Sequence, residues 1–177
     1  MNSNILKAQT RDLHDKVEKV MNSSLLFTHQ FTPEHYKQLI VKSYCYIRTI
    51  QDMGIQQWSA YYNIISQKKQ ALLIDLKHLQ LTQQDICPKR SMRKQSPHYA
   101  LGLIYIVLGA MLGNKQIHKQ LKQIQAFQQY PFSYLSQHQE NLSEIWKDFQ
   151  ATINQLNQQQ LQQVIQGARD GYDLFGQ

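Results

Sequence analysis

The sequence predicts an all-α fold in one domain spanning residues 1–177, and three features of the chain support this class. Glycine and proline are scarce, at 7 and 4 residues of 177, whereas Gln, Leu, Ile and Lys are common. Such a composition favours helices over strands and tight turns. Hydrophobic residues make up 42% of the chain, enough for a buried core at this length. Apolar residues also recur at helical spacing in the long segments.

The first helix is expected to start from a cap at Ser3 or Asn4 and to end at about Met21. Its apolar residues recur every three or four positions and define one buried face, made of Leu6, Leu13, Val17 and Val20. The segment 22–30 then reads as a connection to the next helix.

A second helix starts at Thr32-Pro33, where threonine is a strong cap and proline suits the first helical position. We expect this helix to continue, bent near Gly54, to about Ser66. We expect a shorter helix over residues 70–79 to follow it, and then a basic loop.

The next helix starts at Ser96-Pro97 and is expected to continue to Phe127, first apolar and then polar. Tyr130-Pro131 interrupts the helical pattern because proline cannot continue a helix. Two more helices follow, the first carrying Trp146, Phe149 and Ile153 and the second carrying Leu161, Val164, Ile165, Tyr172 and Phe175.

The formal net charge of +7 is partly concentrated in the predicted loop, at Lys89, Arg90, Arg93 and Lys94. A nucleic-acid patch there would need aromatic residues for base stacking or a helix-turn-helix spacing, and neither is present. We therefore expect a solvated loop and no nucleic-acid partner.

The two cysteines, Cys45 and Cys87, are too few for a disulfide framework and lack the spacing of a metal site. We expect two ordinary reduced thiols. The N-terminus lacks the apolar run of a signal peptide, which predicts a cytoplasmic protein without a membrane partner.

Lys7, Arg11, His14 and Glu18 are spaced 4, 3 and 4 residues apart, so they share one face of the first helix. A neutral imidazole can bind a metal through one nitrogen while its other N–H donates to an oxygen acceptor such as Glu18. Lys7 lies about 10 Å along the helix axis from His14, a reach that suits a flat macrocycle with an anionic edge. The same spacing also fits a solvent-facing stripe with ordinary ion pairs.

Gly102, Gly109 and Gly113 also share one helical face, although each glycine inside a helix costs roughly 1 kcal/mol relative to alanine. A membrane helix pair would need about 20 apolar residues, and the run before Asn114 is shorter. Two explanations stay open at this point. Either a neighbouring helix packs tightly against the glycines, or a flat ligand lies on the bare backbone.

Taken together, these segments resemble the haem oxygenases, in particular their bacterial biliverdin-forming branch. The run 6–14 resembles the proximal helix of that family, 105–113 its distal helix, and 164–172 its final helix. The resemblance covers nearly the whole chain and implies an all-helical bundle with haem between the proximal and distal helices.

The resemblance implies a role for eight residues. His14 would be the axial ligand of the haem iron, supported by Glu18. Lys7 and Arg11 would bind the haem propionates, and Tyr105 and Tyr172 would form the pocket wall. Gly109 and Gly113 would be the catalytic residues, contacting the distal side of the haem through their backbone.

The implied reaction converts haem and O2 to biliverdin, iron and CO. Its electrons would come from an external donor such as ferredoxin or a flavin reductase, because no flavin or nicotinamide motif is present.

The sequence departs from the family at three positions of the distal helix. Leu108 stands where bacterial members often have glutamate, Ala110 where some members have a polar residue, and Asn114 where the family often has glycine. Ordered water held by the backbone is then expected to carry the protons. A monomer is expected.

Three alternative functions are compatible with a helical chain of this kind. The first is a non-catalytic haem carrier or sensor on the same fold, and the second a plain helical interaction domain without haem affinity. The third, a thiaminase-like helical fold, would need a nucleophilic cysteine with acidic partners, which the residues around Cys45 and Cys87 do not supply.

Overall fold

The computed structural model describes residues 1–87, 95–137 and 140–177, and within these ranges it contains helices and no β-strand. The all-α prediction is confirmed. The basic residues at 89–94 lie outside the described residues. The α-helices are α1 (Asn2–Val20), α2 (Pro33–Gln51), α3 (Ser59–His78), α4 (Gln83–Ile86), α5 (Pro97–Leu121), α6 (Ser133–Ser136), α7 (Leu142–Asn154) and α8 (Gln158–Gly176).

Helix α5 forms the centre of the core, and α8 packs closely along it. At Gly102 of α5, an added Cβ would collide with the carbonyl oxygen of Val164, and at Gly167 of α8 it would collide with that of Tyr99. The two helix backbones therefore touch, which only glycine permits. This close crossing fixes the position of α8 relative to α5.

The start of α1 differs from the prediction. The helix begins at Asn2 without a side-chain cap from its own sequence, and Ser3 and Asn4 lie inside it. Its first turn is held by the end of α7 instead: the Ser3 N–H donates to Asn154 Oδ1 at 2.9 Å, and Asn2 Nδ2 donates to two carbonyl oxygens there at 3.2 and 2.8 Å. A cap supplied by another helix leaves no local sequence signal.

The start of α2 is confirmed, since the Thr32 side chain accepts a hydrogen bond from the His35 N–H. The expected continuation of this helix to Ser66 is wrong. Helix α2 ends at Gln51, and Gly54 adopts a φ of 96°. This left-handed conformation is incompatible with an α-helix, so α3 is a separate helix that also includes the short helix predicted over 70–79.

Helix α5 starts as predicted, with the Ser96 hydroxyl accepting from the Tyr99 N–H at 3.2 Å. It ends at Leu121, and the polar end expected to reach Phe127 contains a separate 3-10 turn. Among the described helices, α5 alone has the length and hydropathy to cross a membrane, and 56% of that stretch is buried inside the protein. Its burial against α8 is that of a core helix.

The expectation of two reduced thiols is contradicted. Cys45 on α2 and Cys87 after α4 form a disulfide with a Cα–Cα distance of 5.5 Å. Polar contacts accompany the link, because the Tyr44 hydroxyl donates to Gln83 Oε1 at 2.7 Å and Arg48 donates to the carbonyl oxygen of Cys87 at 3.4 Å. The residues are 42 positions apart, so only the fold brings them together.

Candidate functional site

Helix α8 supports two helices at once. It packs against α5 and also against α1, while α1 and α5 do not form a closely packed pair. Helix α1 also contacts α7, and α5 also contacts α6 and α7. A cavity of about 320 Å³ lies between α1 and α8 and is lined in part by Leu13, Val17 and Tyr172.

On α1 the predicted stripe lies at the surface. The His14 side chain is 52% exposed, and each of its ring nitrogens has a carboxylate nearby. Nδ1 lies 3.7 Å from Asp15 Oδ1, and Nε2 lies 3.8 Å from Glu18 Oε1. A half-exposed imidazole with acceptors beside it is suited to binding a metal through one nitrogen.

Lys7 and Arg11, also on α1, are exposed. Among the described residues, neither has an ion-pair partner, whereas Arg169 on α8 pairs with Asp12 at 3.3 Å. The pairing with Arg169 lowers the pKa of Asp12. Lys7 and Arg11 thus remain available to an anionic group.

Tyr172 of α8 adjoins the stripe. Its ring lies edge-on to the His14 ring, with centroids 6.1 Å apart and planes at 85°. Burial raises the pKa of the Tyr172 hydroxyl, and the nearby Tyr105 and Glu18 act in the same direction. The fold therefore places Tyr172 beside His14, and its role as the wall of a haem pocket stays a prediction.

Tyr105 connects the three helices. Its hydroxyl interacts with Thr10 of α1 and Tyr172 of α8, and burial raises its pKa while these two contacts lower it. On its other side, the ring adjoins those of Trp146 and Phe149 of α7 at centroid distances of 6.0 and 6.2 Å. Sequence reasoning missed Thr10, whose only signal is a polar residue one turn after the buried Leu6.

The glycines of α5 are not equivalent. A Cβ added at Gly109 or Gly113 would meet no atom within 4 Å, whereas Gly102 is pressed against α8. Beside the two open glycines, Ala110 and Leu112 are also exposed, Leu112 to 44%. This half of α5 presents bare backbone and apolar side chains to open space, a surface that an apolar, flat ligand would cover.

The donor set fits a haem. An accessible imidazole, two exposed cations on the same helix and an open apolar surface on α5 correspond to the needs of its iron, propionates and macrocycle. A different type of residue provides each of these features, and α8 packs against both helices that carry them.

Comparisons with known proteins agree with the fold. A crystallographic chain of the NO- and CO-bound haem oxygenase from Neisseria meningitidis matches with a TM-score of 0.68 at 19% identity, covering 99% of this chain and 88% of that one. At this identity the likeness concerns the fold. No significantly similar sequence is found among the curated proteins.

The sequence model of the heme oxygenase family matches residues 1–177. The chain therefore belongs to the haem oxygenase family. It is accordingly a haem-degrading oxidoreductase, and the predicted family, fold class and enzyme class are confirmed.

Proposed function

We propose that this chain binds haem between α1 and α5 through His14 and cleaves it with O2 to biliverdin, iron and CO. Its electrons would come from a separate donor, such as ferredoxin or a flavin reductase. Two observations support the proposal: the imidazole of His14 on α1 is half-exposed, and the backbone at Gly109 and Gly113 on α5 is uncovered. Both helices are positioned by α8.

On the α1 side, His14 would ligate the iron as a neutral imidazole. Tyr172 belongs to the same site, because its ring lies edge-on to the imidazole. Glu18 lies 3.8 Å from Nε2 and belongs to the same site. Lys7 and Arg11 would bind the two propionates, since both are exposed cations on the same helix.

On the α5 side, Gly109 and Gly113 would leave room for O2 next to the macrocycle, where any side chain would crowd it. Haem supplies the redox chemistry, because it is both the substrate and its own cofactor. Tyr105 would close the inner end of the site through its contacts with α1 and α8. Since Ala110 carries no proton donor, we expect ordered water held by backbone groups to deliver protons.

Haemin titration tests the ligand. The wild-type protein is expected to develop the Soret band of histidine-ligated haem, and His14→Ala is expected to lose it because the axial nitrogen is gone. An unchanged spectrum in the variant would reject His14 as the ligand. Wild-type circular dichroism in both proteins is the control, since a side chain that is 52% exposed is not needed for folding.

A non-catalytic haem carrier or sensor remains the second candidate, favoured by one observation. Leu108 and Ala110 are apolar at positions where the family resemblance implies polar groups. Turnover with ascorbate or a ferredoxin system distinguishes the two, because only the enzyme produces green biliverdin and releases iron. Accumulation of a stable haem complex under these conditions would favour the carrier.

We also propose one domain over residues 1–177, a monomer and a cytoplasmic location. The disulfide opposes the last of these, because disulfides are typical of oxidising compartments. A free-thiol count on protein taken directly from cells tests the location: two thiols support the cytoplasm, and none supports an oxidising compartment.

A further inference from the structure

Two charged side chains of α3, Lys68 and Asp75, are fully buried, each with an exposure of 0%. They are seven positions apart, so they lie on one face of the helix, about two turns from each other. Burial lowers the pKa of Lys68 to about 8, although the charge of Asp75 acts in the opposite direction. A buried charge costs free energy unless it is paired or hydrogen-bonded. Neither residue is part of the proposed haem site, so their presence in the core has another cause.

Both charges bind the backbone of one short segment, the one that contains α6. At its start, Asp75 Oδ1 accepts from the Ser133 N–H at 2.9 Å, and Asp75 Oδ2 accepts from the Tyr134 N–H at 2.8 Å. At its end, Lys68 Nζ donates to the carbonyl oxygens of Tyr134 and Gln137 at 2.7 and 2.8 Å. The two side chains therefore satisfy backbone groups at both ends of α6 that a helix leaves unpaired.

Helix α6 depends on this support. It has 4 residues, and a helix of one turn is not stable without tertiary contacts. Phe132, just before it, has a φ of 49°, a left-handed conformation that is unfavourable for a residue with a side chain. The carboxylate and the ammonium group of α3 therefore fix a segment that its own sequence does not stabilise.

Helix α6 in turn contacts α5. Burial raises the pKa of the Tyr134 hydroxyl, while the nearby Ser43 of α2 and Asn114 of α5 lower it. Ser43 Oγ and Asn114 Nδ2 form no hydrogen bond among the described residues, so these interactions act over a longer range. The rings of Phe132 and His118, the latter on α5, have centroids 5.2 Å apart. Both contacts lie on the same side of α5, one turn from each other.

The two halves of α5 are thus held by different neighbours. The first half touches α8 at Gly102. The second half, from Gly109 onward, contacts α6 and the residue before it through Asn114 and His118. A Cβ added at Gly109 or Gly113 would meet no atom within 4 Å, so this surface has no support from its own side. Its position therefore depends on α6.

We propose that Lys68 and Asp75 are positioning residues for the α5 side of the haem site. By holding both ends of α6, they fix the second half of α5 and with it the position of Gly109 and Gly113 relative to α1. This inference rests on the proposed function. Neither residue touches the haem in this arrangement, because each acts through α6.

The first test needs no haem. Lys68→Met removes the cation at similar length, and Asp75→Asn removes the charge at equal volume. Either change is expected to speed amide hydrogen exchange in the second half of α5 about tenfold, because its support loosens, while the first half keeps its wild-type rates. Lys69→Met is the matched control, since Lys69 is the next residue on α3 and donates to Gln51 Oε1 at 2.7 Å, away from α6.

The second test uses the haem complex, reduced and with CO as a probe of the α5 side. Both variants are expected to shift the CO stretching frequency and to release CO several-fold faster, because the backbone at Gly109 and Gly113 is less well fixed. The iron–imidazole stretching frequency without CO is expected to stay at its wild-type value, because His14 lies on α1. A residue that only stabilises the whole fold would not affect one side of the haem alone.

Wild-type exchange rates in the second half of α5 would overturn the inference, and so would equal acceleration in both halves. A change in exchange with an unaltered CO complex would also overturn it, because α6 would then not influence the haem side. If Lys68→Met does not fold by circular dichroism, Asp75→Asn decides, since its amide oxygen can still accept one N–H. His14→Ala separates the two proposals: if that variant keeps the wild-type Soret band, the proposed function fails at its ligand, whatever the exchange rates show.

Discussion

The two halves of α5 carry glycine on the same face but in opposite surroundings. At Gly102 the backbone of α8 leaves no space for a Cβ, whereas at Gly109 and Gly113 nothing lies within 4 Å of one. One glycine allows two helices to touch, and the other two leave a surface uncovered. A stripe of glycines on one face of a helix therefore need not have a single cause, because close packing and an open surface can occur along the same stripe.

The largest expected effect is on stability at the packed half. In Gly102→Ala, the added methyl group collides with the backbone of α8, so the unfolding free energy should fall by about 3 kcal/mol or more. Urea denaturation at equilibrium measures it. If Gly102→Ala is as stable as wild type, the two halves of α5 do not differ as described.

At the open half the expected effect is on turnover. Gly113→Leu should block the space for O2 and reduce biliverdin formation at least tenfold, while unfolding stays close to wild type because no atom lies near the new Cβ. Single-turnover assays on the haem complex measure the yield. Lys115→Leu, two residues away on the same helix, is the matched control for an added apolar side chain. A normal yield from Gly113→Leu would indicate that the open glycines have no role in the reaction.

The smallest effect has the opposite sign to the first. Gly109→Ala should raise the unfolding free energy by about 0.5–1 kcal/mol, because alanine is the better helix former and has room here. Urea denaturation without haem separates this gain from any loss of haem binding. Destabilisation would mean that Gly109 is packed like Gly102.

Local signals in the sequence predicted much of the fold. Thr32-Pro33 and Ser96-Pro97 start α2 and α5 as expected, because a hydroxyl cap and a proline act through their own backbone. Between α2 and α3 the sequence predicted only a bend near Gly54, since the apolar pattern continues on both sides. The structure has a full break there, with α2 ending at Gln51 and Gly54 in a left-handed conformation.

In the candidate site, too, local features could be predicted from the sequence and contacts between helices could not. The spacing of Lys7, Arg11, His14 and Glu18 placed them on one helix face, and the structure finds all four exposed on α1. The edge contact between His14 and Tyr172 could not be predicted from spacing, because no pattern along the chain relates α1 to α8. The role of Thr10 could not be predicted, since its partner Tyr105 is 95 residues away and belongs to another helix.

The amino-acid sequence alone was enough to predict a helical chain and the starts of α2 and α5. It also predicted that an imidazole, two cations and a carboxylate share one face of α1. These properties depend on neighbours within about one helical turn. Helix packing, in contrast, sets which glycines are covered, that Tyr172 lies beside His14, and that Cys45 meets Cys87. Those outcomes depend on how α8, α2 and α4 pack, and packing is set by contacts between residues far apart in the chain.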